Sequence, residues 1–327
     1  MTMRPDYTVL KRYCRSEKPL LPVIAGPTAS GKTACAVALA ELIDAEVVSA
    51  DSMQIYRGMD ILSAKPTPEE MHGVAHHMLG IADPSVKYSA DAYRVQANAC
   101  IHDIINRDRV PLLCSGTGLY IDAVTKPMSF SQKSDEALHA RLLEMAAEPG
   151  GKQRLHDRLA QVDPDSAARL HVNDVRRVAR ALEVYEATGM TLTEHSRRDQ
   201  ARKGDYREII FALQWPKDVL YQRIEHRVEQ MVDAGLIAEV ERLMADPSRH
   251  PTAFQAIGYK EIAAALRGEM SMEQAIYETK KATCALAKRQ MTWFRRDGRV
   301  IWLDATGADA QELASQMGQM ILAQLAP

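Results

Sequence analysis

The stretch Gly26-Pro27-Thr28-Ala29-Ser30-Gly31-Lys32-Thr33 limits the folds open to this chain more than any other. It follows the apolar run Leu20 to Ala25 and leads into Ala34, Val37, Ala38, Leu39 and Leu42, which recur at helical spacing. The eight residues therefore fit G-x-x-x-x-G-K-[ST] in its strand, loop, helix setting. Glycines let the backbone curl until successive N–H groups face one anion, the helix N-terminus adds its dipole, and Lys32 supplies a point charge. An ordinary strand-to-helix turn would account for the glycines but not for Lys32-Thr33. A cradle for a diphosphate is expected from Gly26 to Thr33, with Thr33 able to hold a magnesium ion.

The 327 residues give a prior of about two domains. With 46% hydrophobic and 26% charged residues the chain reads as globular, and its net charge of -2 leaves any contact with a polyanion to local clusters. Cys14, Cys35, Cys100, Cys114 and Cys284 are scattered with no C-x-x-C pair, so reduced thiols and no zinc site are expected. No leader pattern and no apolar run near 18 residues occurs; export and membrane insertion are not indicated, and a cytoplasmic location is expected.

Glu46 to Ala50 reads as a short strand ending in Asp51-Ser52. Open parallel sheets bind ligands at the carboxyl ends of their strands, so Asp51 faces the P-loop and is a candidate for chemistry, or else a turn residue. Ala90 to Arg107 is helical in pattern, with Val95, Ala99, Ile101 and Ile105 on its apolar side. The strand Val110 to Cys114 then ends in Ser115-Gly116-Thr117-Gly118 without an acid, which counts against an ATPase. From Lys126 to about Lys203 strand-like runs give way to successive helices: Ala137 to Met145, Leu155 to Val162 and Asp174 to Ala187. The last clusters Arg176, Arg177 and Arg180 opposite Val178, Ala181, Leu182 and Tyr185, as a binding face or simply a solvated one.

Glu208 to Leu213 returns to the sheet, and the helix after Pro216 carries Arg223 and Arg227 one turn apart, able to clamp a departing phosphate. A long helix spans Ser271 to Arg296, with Lys281, Lys288 and Arg295 at intervals of seven, joined by Lys280, Arg289, Arg296, Trp293 and Phe294. Such a basic stripe with aromatics suits a nucleic-acid backbone and an unstacked base. A last strand, Val300 to Leu303, and a closing helix, Ala310 to Leu325, complete the chain.

Taken together the motifs resemble the tRNA dimethylallyltransferase family. The markers are the P-loop, D-S-M-Q-I-Y-R-G-M-D (Asp51 to Asp60), A-K-P (Ala64 to Pro66), S-G-T-G-L-Y (Ser115 to Tyr120), N-D-V-R-R-V-A-R-A-L-E-V-Y (Asn173 to Tyr185), I-G-Y-K-E (Ile257 to Glu261) and A-K-R-Q-M-T-W-F-R (Ala287 to Arg295). The resemblance implies an α/β fold, a P-loop NTPase-like parallel sheet flanked by helices with an inserted all-helical subdomain. Its parts would be 1–125 as the first part of the core, 126–204 as a helical insertion contacting tRNA, and 205–327 as the return to the core with C-terminal basic helices.

It implies transfer of a dimethylallyl group from dimethylallyl diphosphate to N6 of adenosine 37 in the tRNA anticodon loop, by a bacterial-type monomer using Mg2+. Gly26, Pro27, Thr28, Ala29, Ser30, Gly31, Lys32 and Thr33 would bind the diphosphate, Asp51 would be the general base, and Arg223 would stabilise the leaving diphosphate. Asp51, Ser52, Met53, Gln54, Thr117, Arg176, Arg177 and Arg180 match positions where the family contacts tRNA; His139, standing where an arginine is expected, joins them. Lys281, Lys288, Arg289 and Arg295 would add phosphate contacts on charge alone. The chain departs from the pattern at Leu62-Ser63, Gly80, Ser115 and Cys284. The last takes a usually basic position, so weaker or differently placed RNA contact is expected there. The rival readings are prenylation of a free adenine nucleotide and, further off, a small-molecule kinase using ATP.

Overall fold

The computed structural model describes residues 5–128, 135–246 and 252–325. Six strands, β1 (Leu20–Ala25), β2 (Ala45–Ser49), β3 (His76–His77), β4 (Val110–Ser115), β5 (Arg207–Gln214) and β6 (Val300–Asp304), form one sheet in the order β3-β2-β4-β1-β5-β6. Every pairing is parallel, with Val23 of β1 opposite Leu113 on one side and Ile210 on the other. A parallel sheet is covered by helices on both faces, and accordingly every residue of β1 and β2 is buried. The chain runs from β1 outward to β2 on one side and later crosses to β5 on the other. This places a crevice beyond the carboxyl ends of β1, β2 and β4, which is where such sheets take their ligands.

The chain divides into two compact units, Met1–Thr125 with Asp205–Pro327, and Lys126–Gly204. The first holds the sheet. Its P-loop helix, Lys32–Ile43, is buried along Cys35 to Ala40 because it packs against the sheet on one side and the Ala310–Leu325 helix on the other. The Ala90–Asn106 helix buries Ile101 and Ile105 of its expected apolar side, but not Val95 and Ala99. Tyr93, Ala97, Ile101, Ile104 and Ile105 are buried, whereas Val95 is 59% exposed and Ala99 is exposed too. Tyr93 decides the rotation: its ring stacks on Tyr120 at 4.2 Å and its hydroxyl donates to the Ser49 carbonyl at 3.0 Å.

The second unit is helical and has its own core, in which Leu142, Leu155, Leu159, Val178 and Leu182 meet. Asp163 is buried at the joint of two of its helices. Its Oδ1 accepts from Ser166 N at 3.1 Å to cap Pro164–Arg169, and from the Thr193 hydroxyl at 2.6 Å.

One buried carboxylate shapes the loop that follows Asp51. Glu239, 7% exposed on the Leu236–Met244 helix, accepts from the backbone N–H groups of Asp60 (3.0 Å), Ile61 (3.0 Å) and Leu62 (2.8 Å). It fixes the strip Leu62-Ser63-Ala64 beside the crevice. Glu239→Ala leaves three amides without their charged acceptor and is expected to cost on the order of 2–4 kcal/mol in urea unfolding. Loss of less than about 0.5 kcal/mol would show that water replaces the carboxylate freely.

Candidate active site

Strand β1 delivers the chain into a loop that L-residues alone could not trace. Gly26 has φ +135 and Gly31 φ +92, and a Cβ on Gly26 would sit 3.4 Å from Leu213 N. Ala29 also adopts a left-handed backbone, φ +59, although it is not glycine. Such strain costs about 1 kcal/mol and is held here by neighbours. Arg223 Nε donates to the Ala29 carbonyl at 2.9 Å, and Trp215 Nε1 to the Ser30 carbonyl at 3.0 Å. The Arg223 guanidinium lies 4.3 Å over the Trp215 ring.

Two polar side chains of the loop differ in how they are satisfied. Ser30 Oγ is buried and has no hydrogen-bond partner among the described residues. Lys32 Nζ turns back to donate to the Pro27 carbonyl at 2.5 Å. Burial is the main reason that the lysine is pulled down to about 8; Arg227 adds to this, while Cys114 and Asp51 oppose it. A half-buried ammonium whose bonded partner is a neutral carbonyl is able to pair with an anion.

Asp51 follows β2 at the next strand end. Its Oδ1 accepts from Met53 N (2.8 Å) and Gln54 N (3.3 Å), which leaves Oδ2 without a protein partner among the described residues. Two cavities meet here. One, of about 390 Å³, is lined by Thr28, Gly31, Lys32, Thr33, Asp51 and Arg227 among others. The second, of about 430 Å³, is lined by Asp51, Ser52, Met53, Thr117 and Arg289 and by an apolar wall that includes Ile224, Val228, Met231 and Leu286. Asp51, Arg227 and Gln290 belong to both. The arrangement can hold an anion on one side of a carboxylate and a flat or apolar group on the other.

The sequence model of the family described as IPP transferase matches residues 54–297, and that described as isopentenyl transferase matches residues 20–85. The chain is 42% identical to the tRNA dimethylallyltransferase of Carboxydothermus hydrogenoformans over 92% of this chain and 96% of that one. It is 48% identical to that of Desulforudis audaxviator, over 88% and 92%. The chain belongs to the IPP transferase family. Solved structures agree on the fold. The tRNA isopentenylpyrophosphate transferase of Bacillus halodurans superposes with a TM-score of 0.70 at 41% identity, covering 95% of this chain and 97% of that one. A eukaryotic dimethylallyltransferase acting on tRNA gives 0.79 at 27%, covering 94% and 80%.

Membership puts the IPP transferase markers in a new light, because the structure separates those that line the cavities from those that support them. Thr28, Ala29, Gly31, Lys32, Thr33 and Gln54 join Asp51 around the first cavity; Gly26, Pro27 and Ser30 are buried behind it. Arg223 lines neither cavity. It braces the P-loop backbone, and Arg227, one turn on, is the cation that faces both spaces. In A-K-P, Lys65 Nζ donates to the Tyr56 carbonyl at 2.9 Å and pairs with Asp60, a loop tie. Ser115, one of the departures from the family pattern, ties two strand ends together. Its buried hydroxyl donates to the Ala50 carbonyl and accepts from Thr117 N at 2.7 Å, fastening the ends of β2 and β4. Gly80, with φ +60, has the Lys65 amine 3.4 Å from where a Cβ would lie.

On the long helix, Met272–Arg295, the residues sort by face. Lys281, Lys288, Arg289 and Arg295 are exposed, and of these only Arg289 lines a cavity. Lys280 is tied to Glu229 at 2.6 Å. Trp293 is 39% exposed and lies against Gly118, where a Cβ would come within 2.2 Å of the indole; Phe294, by contrast, is 3% exposed and belongs to the core. Cys284 lies along the edge of the basic stripe, three residues after Lys281 and four before Lys288. It packs, partly buried, on Leu220, Ile224 and Ala287, so a basic residue there would reach out past an apolar cluster. In the helical unit, Arg176 and Arg177 are exposed, while Arg180 Nη1 pairs with buried Glu183 at 2.7 Å and His139 Nδ1 lies 3.1 Å from the same carboxylate. Glu183 thus presents two of the expected contact residues together. Gln290 and Glu239 carry the site without having been legible as functional; both act through backbone groups far away in sequence.

Proposed function

We propose that this chain transfers a dimethylallyl group from dimethylallyl diphosphate to N6 of adenosine 37 in the anticodon loop of tRNA, acting as a cytoplasmic monomer. The observation that carries this reading is the place of Asp51 in the common wall of a P-loop cavity and a second, partly apolar one. The diphosphate lies on the P-loop amides, and Lys32 leaves the Pro27 carbonyl for it. N6 attacks C1 of the prenyl group. The C–N bond forms as the C–O bond breaks with its electron pair, and the proton of the exocyclic amine passes to Asp51. Arg227 offsets the charge growing on the leaving diphosphate, with Arg223 holding the loop in place.

A magnesium ion fits this donor set as a companion of the substrate. Thr33 lines the P-loop cavity, so its hydroxyl would hold the ion, with diphosphate and water oxygens completing its shell. It would add charge neutralisation at the diphosphate. Arg289 in the second cavity, with Lys281, Lys288 and Arg295 on the same helix, is suited to the RNA backbone, and Arg176, Arg177, Arg180 and His139 supply a further basic group.

The deciding experiment offers labelled dimethylallyl diphosphate and magnesium to unmodified tRNA, AMP and ATP in parallel. Label mapped to adenosine 37 is the expected outcome. Label on AMP or ATP would instead make the chain a free-nucleotide prenyltransferase, and the basic helices solvated faces.

A further inference from the structure

Gln290 lies at the inner side of the Met272–Arg295 helix, and its carboxamide is fastened at both ends. Oε1 accepts from Thr28 N at 2.9 Å, and Nε2 donates to the Gly116 carbonyl at 3.0 Å. One partner can only donate and the other only accept, so the amide has a single orientation. The sequence makes room for it. A Cβ on Gly116 would lie 2.4 Å from Gln290 Nε2 and 3.2 Å from the Gly26 carbonyl, while the Gly116 backbone is not left-handed. Glycine at this position serves clearance for the glutamine head, not a turn. Gln290 also belongs to the walls of both cavities, between the end of β4 and the P-loop.

A prenyl carbon that develops positive charge beside the diphosphate is open to any nucleophile that reaches it, and a cavity awaiting a base is filled with water. We infer that Gln290 is a positioning residue that walls the diphosphate cavity off from water in the acceptor cavity, and so decides between transfer and hydrolysis; the inference rests on the function proposed above. In the side reaction that it suppresses, a water oxygen bonds to C1 of dimethylallyl diphosphate. The C–O bond to the diphosphate breaks with its electron pair, and the water gives a proton to solvent, yielding dimethylallyl alcohol and diphosphate. The pinned carboxamide is well suited to the task because it cannot rotate without breaking a bond at each end.

The test counts diphosphate released against prenyl groups joined to tRNA, with dimethylallyl diphosphate in excess, in the parent, Gln290→Ala and Gln290→Glu. The glutamate keeps the size of the side chain but opposes a carboxylate oxygen to the Gly116 carbonyl, so it swings out of the wall. The parent is expected to release one diphosphate per prenyl transferred and almost none without tRNA. Both variants are expected to release several-fold more than they transfer, and to hydrolyse the donor at least about tenfold faster than the parent when tRNA is absent. A residue that merely supported the fold would lower release and transfer together, so stoichiometric release by both variants overturns the inference. A parent that prenylates no tRNA overturns the underlying function instead, which keeps the two failures apart.

Discussion

Asp51→Asn is expected to lower kcat for tRNA prenylation by about 10²- to 10⁴-fold while changing tRNA affinity by no more than about threefold. The split follows from the two oxygens of the side chain. Oδ1 holds Met53 N at 2.8 Å and Gln54 N at 3.3 Å, a service that an asparagine carbonyl performs equally well, so the Asp51-to-Gln54 turn survives. What asparagine lacks is a group to take the proton from N6. Asp51→Ala removes the turn's acceptor as well, so its losses extend to the KM for tRNA, through Ser52 and Met53 in the wall of the acceptor cavity. Comparing the two separates proton acceptance from loop support. Parental kcat in Asp51→Asn, measured in single turnover so that product release does not mask chemistry, would remove Asp51 from its role as base.

That split also shows what a sequence can and cannot disclose about such a site. The P-loop was legible because an anion makes unusual local demands: glycine where φ is +135 and +92, a lysine at the head of a helix, and strand and helix around them. Ala29 escaped, since nothing local requires a left-handed alanine; Arg223, 194 residues away, supports it. The two arginines one turn apart on the Lys217–Asp233 helix could not be ranked by periodicity, because the difference between bracing a loop and facing a cavity is a rotation of a few tens of degrees. Val95, exposed, and Phe294, buried, lie otherwise than their spacing suggests for a related reason. Spacing finds an apolar face only when the residues on it outweigh a single anchor, and Tyr93 stacked on Tyr120 resets the Ala90–Asn106 helix. Gln290 and Glu239 reach backbone groups 262 and 179 residues away, and no local pattern encodes such a contact.

The capture of dimethylallyl diphosphate should weaken as pH rises through about 8, the value to which burial brings Lys32. The sign follows from the free enzyme. Below about 8 the ammonium is present and attracts the diphosphate; above it the free site holds a neutral amine, so kcat/KM for the donor falls, approaching tenfold per pH unit. Once bound, the diphosphate favours the charged lysine and raises its pKa again, so kcat at saturating donor stays flat over the same range. Rising KM with constant kcat is therefore the expected signature. Lys32→Arg keeps its charge throughout and should lose the descending limb, although its planar fork fits a site built for a point charge less well. Lys32→Met should lose the limb too, at a kcat/KM lower than the parent's by two orders of magnitude or more, on the order expected for removing one charge-assisted contact to a developing anion. A parental profile that stays level to pH 9.5, or a Lys32→Met enzyme that keeps the descending limb, would show that another group governs donor binding.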